Sequence, residues 1–69
     1  MHRIDVRDDR RTAVSVLAIE PVEIPDVFAE LAKVKRLSIV VHNLNRLMDS
    51  PEDRELGRRA LRHLGFIDD

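Results

Sequence analysis

The apolar face changes sides partway through one long helical stretch, and nothing else in the chain limits its fold so strongly. Val27, Phe28, Leu31 and Ala32, trailed by Val34, form a first apolar group. Leu37, Val40, Val41, Leu44, Leu47 and Met48 form a second. At about 100° per residue the two groups centre roughly 140° apart on a helix. Such a helix is either broken near residues 35–38 or buried against two different neighbours. A chain of 69 residues has little material from which to supply both. The pattern therefore points to self-association, with Leu37, Val40, Val41, Leu44, Leu47 and Met48 as the oligomer interface.

Size leads the same way. A single domain spanning residues 1–69 is expected, and a chain of this length buries only ~60% of its unfolded surface. Small scaffolds usually add a disulfide, a metal or a partner subunit. Cysteine is absent, which removes disulfides, a thiol nucleophile and thiolate metal sites. His2, His42 and His63 are too scattered to suggest a metal cage, so no metal and no cofactor is expected. Oligomerisation is the remaining staple.

Phe28 and Phe66 are the only aromatic residues, so the core must be aliphatic. A stacking platform for single-stranded nucleic acid is thereby disfavoured. The formal net charge of -1 gives no global attraction to a polyanion, and only a local basic patch can supply one. The N-terminus lacks the apolar run of a secretory signal. The longest apolar stretch, residues 13–19, falls far short of the ~20 residues that span a bilayer. A cytoplasmic protein with no membrane partner is expected.

Ile4 and Val6 alternate with Asp5 and Arg7 at the period of a half-buried strand. Asp8-Asp9-Arg10-Arg11 reads as a turn, and residues 12–20 are rich in β-branched side chains, which gives a second strand. A short helix starting at Asp8 or Asp9 competes with that reading, because Ala13/Leu17 and Val14/Ala18 are each four apart. Residues 21–25 form a connector, since Pro21 and Pro25 exclude a helix interior there. A helical region follows over 26–49. In the last segment, 50–66, Ser50-Pro51-Glu52-Asp53 supplies a capping hydroxyl, an N1 proline and an acid. Leu56, Ala60, Leu61 and Leu64 make its apolar stripe. Gly65 makes a left-handed cap, with Phe66 folding back as the hydrophobic contact.

Four groups of residues invite a chemical role. Arg54, Arg58 and Arg62 lie four apart and form a candidate anion or nucleic-acid ridge. Pairing of Glu55 with Arg59 and the needs of the helix C-terminus account for the same charges as a solvated face. Residues 31–41 suggest a helix-turn-helix. The turn lacks glycine, however, and Ser38-Ile39-Val40-Val41 is apolar where base-reading side chains should project. Ser38, His42, Asn45 and Asp49 share one stripe, but nothing supplies an oxyanion hole or a nucleophile elbow, so a solvated polar face explains them. The pairs Asp8-Asp9 and Asp68-Asp69 suit a turn and a terminus better than a shared catalytic site. Gly57, inside the last helix, costs ~1 kcal/mol relative to alanine and marks close packing against another helix.

The sequence thus predicts an α+β fold: an N-terminal β-hairpin or two short strands over 1–20, then an antiparallel helical hairpin of two to three helices, completed by dimerisation. It predicts no catalytic residues. The expected function is that of a small non-enzymatic homo-oligomeric interaction module, an adaptor, assembly factor or regulator whose partners are itself and another protein. The alternative is a small dimeric DNA-binding regulator or antitoxin-like protein using the basic helix or the β element.

Overall fold

A computed structural model describes residues 4–67, and every regular element among them is helical. Helix α1 spans Asp9–Leu17, followed by a single 3-10 turn at Pro21–Glu23. Helices α2, α3 and α4 span Ile24–Lys33, Leu37–Met48 and Arg54–Leu64. None of these helices is long and apolar enough to cross a membrane. His2, Asp68, Asp69 and the first residues of the expected β element lie outside the described residues.

The α+β expectation is overturned: the described residues contain no strand and no hairpin. The competing helix from Asp8 is the form adopted. Asp8 is the N-cap, and its carboxylate accepts from the Arg10 N–H (3.3 Å). The hydroxyl residues of this segment are accommodated by bonding back one turn. Thr12 Oγ1 lies 3.0 Å from the Asp8 carbonyl, and Ser15 Oγ donates to the Arg11 carbonyl at 2.7 Å. Thr12, Ala13 and Val16 then share a buried face, which period 3.6 delivers and period 2 does not.

Residues 4–8 run alongside instead of pairing as a strand. Ile4 and Val6 pack against the core. Asn43 Nδ2 donates to the Val6 carbonyl (3.0 Å) and to Thr12 Oγ1 (3.1 Å), while the Thr12 hydroxyl also reaches the Asp5 carbonyl at 2.5 Å. Both side chains are buried, so this clasp fixes the segment against α1 and α3. The N–H and guanidinium of Arg7 donate to Asp5, with Arg11 adding to the field, and hold its carboxyl below the usual carboxylate range.

The core lies between α1, α3 and α4. Ala13 and Val16 meet Val40, Leu44 and Leu47 of α3 and Ala60, Leu61 and Leu64 of α4. Each of the larger side chains contributes about 1.5–3 kcal/mol by leaving water. Gly57 lets α3 and α4 approach closely: a Cβ there would sit 2.8 Å from the Leu44 carbonyl oxygen and 2.9 Å from Leu47 Cβ. At the ends, Arg10 Nε meets the Asp53 carboxylate (3.0 Å), Arg46 meets Asp9 (3.4 Å), and His63 Nε2 bonds the Ile19 carbonyl (2.6 Å). Helix α4 starts without a side-chain cap at Asp53, and Ser50 begins a turn rather than the helix.

Helix α2 sits outside this core. Only Val27 is fully buried on it, with Ile24, Phe28 and Leu31 half-buried against the core edge. The 26–49 region is thus two helices, broken at residues 34–36, and the change of apolar face falls at that break.

Candidate docking groove

The break between α2 and α3 is a helix cap made without glycine. The Arg36 N–H reaches the Leu31 carbonyl (2.9 Å) and the Lys35 N–H the Ala32 carbonyl (3.2 Å), the paired bonds of a Schellman motif. That pattern puts its C′ residue in the left-handed region, and here the residue is Lys35, at φ 59. Among the described residues it is the only one other than glycine with positive φ. A side chain in this conformation costs about 1–2 kcal/mol.

Beside this cap lies an open groove of about 640 Å³. Ala32 and Lys35 stand at one end, and Leu37, Val41 and Phe66 supply apolar surface. Ser38, His42 and Asn45 line the side formed by the polar stripe of α3. Phe66 reaches this position because Gly65, at φ 89, caps α4 in the same manner, with the Phe66 N–H on the Leu61 carbonyl (3.0 Å). Its ring does not fold back on α4 alone; it rests against Phe28 of α2, centroids 5.4 Å apart and planes tilted by 59°. Phe66 nevertheless keeps 45% of its surface exposed.

The six residues expected at an oligomer interface are divided by the fold. Val40, Leu44 and Leu47 are covered by α1 and α4 of the same chain. Met48 is half-buried beside Gly57, and Leu37 and Val41 face the groove. One chain therefore supplies both neighbours that the changing apolar face required. The arginine ridge is uneven: Arg54 and Arg62 are exposed, Arg58 is half-buried, and Arg54 Nε is occupied by the Met48 carbonyl (3.2 Å). Ser38, His42 and Asn45 come together along the groove, whereas Asp49 lies outside its lining. Among the described residues no group of three or more acidic, histidine or cysteine side chains is placed to hold a metal.

Phe66 had no place among the residues given a chemical role by the sequence, and Ala32 and Lys35 entered only through the helix-turn-helix reading of residues 31–41. Lysine at a cap carries no local signature, and the proximity of Phe66 to α3 depends on the whole bundle. The chain matches no protein-family model, no curated protein and no solved structure.

Proposed function

We propose that this protein is a non-enzymatic interaction module that holds an apolar segment of another protein in the groove between α2 and α3. One observation carries the reading: the fold closes its core around α1, α3 and α4, yet leaves Leu37, Val41 and Phe66 lining an open groove. An apolar centre ringed by the polar side chains of Ser38, His42, Asn45 and Lys35 has the layout of a protein contact surface. The open mouth suits a row of side chains better than an enclosed small molecule.

Selection of binders from a random peptide library tests this. The parent protein is expected to enrich peptides that a Val41→Arg variant does not retain, and a panel retained equally by both would overturn the reading. Light scattering at micromolar concentration covers the other occupant. The adaptor predicts the 8.0 kDa chain mass, whereas a dimer dissociated by Val41→Arg would assign the groove to a second copy.

A further inference from the structure

The chemistry of the groove narrows what it holds. Among the described residues none that lines it is acidic, although the chain carries 13 acids against 12 lysines and arginines. The one formal charge among those residues is Lys35, and exposed Lys33 and Arg36 lie within two positions of it in sequence. The described walls thus offer an incoming carboxylate no repulsion, while attraction is concentrated at one end. The walls also offer no sheet edge. Ala32, Val41, His42 and Asn45 lie within helices whose backbone groups are already paired, and only the first-turn N–H groups of Leu37 and Ser38, at one end, are open. An occupant finds no row of main-chain partners along these walls and must satisfy most of its own backbone, which a helix does and an extended strand does not.

The placement of Lys35 adds a second line. Glycine would make the same cap without strain, as Gly65 does on α4. Lysine at this position brings an ammonium to the end of the groove at a cost in stability, the pattern expected of a residue kept for a contact rather than for the fold.

Resting on the adaptor reading above, we infer that the groove receives the apolar face of an amphipathic partner helix flanked by Asp or Glu, with Lys35 making the charge contact. The apolar side chains of the partner lie on Leu37, Val41 and Phe66. Its carboxylates meet Lys35, with Lys33 and Arg36 reinforcing the field.

The peptide selection separates this inference from the one beneath it. Peptides retained by the parent but not by Val41→Arg should show apolar residues at helical spacing, i, i+3/i+4 and i+7, together with enriched Asp and Glu. Repeating the selection on Lys35→Glu should reduce that acidic enrichment or replace it with Lys and Arg. The decisive control is Lys35→Gly, which removes the charge while relieving the cap. It should bind the selected acidic peptides roughly 2–5-fold more weakly while unfolding at higher urea. Groove-dependent peptides without acidic enrichment would overturn the acidic-partner inference and leave the adaptor standing. Absence of groove-dependent peptides would overturn both. A dimer dissociated by Val41→Arg would replace the acidic helix with a second copy.

Discussion

Helices α2 and α4 end on the same hydrogen-bond pattern but are built into the molecule differently. At the end of α4, Gly65 takes φ 89 and the residues before it, Leu61 and Leu64, are buried in the core. At the end of α2, Lys35 takes φ 59, and the helix before it has a single buried side chain, Val27. The sturdier helix has the unstrained cap, and the less anchored one carries the strained cap. Cap geometry is therefore set by where the chain must go next, and residue choice decides what that turn costs. On α4 it costs little. On α2 the cost falls on an element whose local stability is already low, beside a groove that a second protein would fill.

The contrast can be broken most forcefully from the core side. Val40→Asp puts a charge where α1, α3 and α4 meet and should remove at least about 3 kcal/mol of stability. Val41→Asp, one residue on but facing the groove, should cost less than about 1 kcal/mol. Urea unfolding of the two variants reads the difference directly. Equal losses would mean that the groove wall belongs to the core.

Gly57→Ala should come next. Alanine raises helix propensity by about 1 kcal/mol, but its Cβ would collide with the Leu44 carbonyl and Leu47 Cβ. A net loss of about 1–3 kcal/mol is expected from overpacking, with unfolding again the measure. An equal substitution on exposed Ala29 of α2, Ala29→Ser, should be nearly neutral.

Asn43→Ala should cost about 1–3 kcal/mol, because the Val6 carbonyl loses its partner and a buried clasp is opened. Hydrogen exchange should then show loosening of residues 4–8 and the start of α1, with α2 unaffected. The same segment should loosen in acid. The carboxyl of Asp5 titrates lower in the folded chain than in the unfolded one, so its contribution is complete above the unfolded value. It is lost as pH falls through the folded one. The effect is small because the pair is exposed, and Asp5→Asn should remove that portion of the pH dependence.

Much of this architecture was readable from local pattern. The stripes of α3 and α4, the glycine cap at Gly65, the close approach at Gly57 and the break near residue 35 all rest on residues near one another in sequence. The errors arose where distant residues decide. Thr12, Val14 and Val16 have strand propensity, but α1 forms because α3 and α4 cover its Ala13/Val16 face and Asn43 takes the Val6 carbonyl. Val40, Leu44 and Leu47, expected at an oligomer interface, are already buried within one chain, where the N-terminal helix supplies a cover that sequence-near residues do not. Half of the groove was visible as a polar stripe through Ser38, His42 and Asn45. The rest depends on Phe66 and Lys35, whose positions are fixed by two caps, only one of which carries a glycine.

A modest expected effect bears most directly on the comparison between the two caps. Equilibrium urea unfolding of Lys35→Gly should show a gain of about 1 kcal/mol over the parent, because the left-handed position loses its side-chain strain. Unchanged or reduced stability would contradict the account, since Lys35 would then be supporting the fold rather than straining it at the edge of the groove.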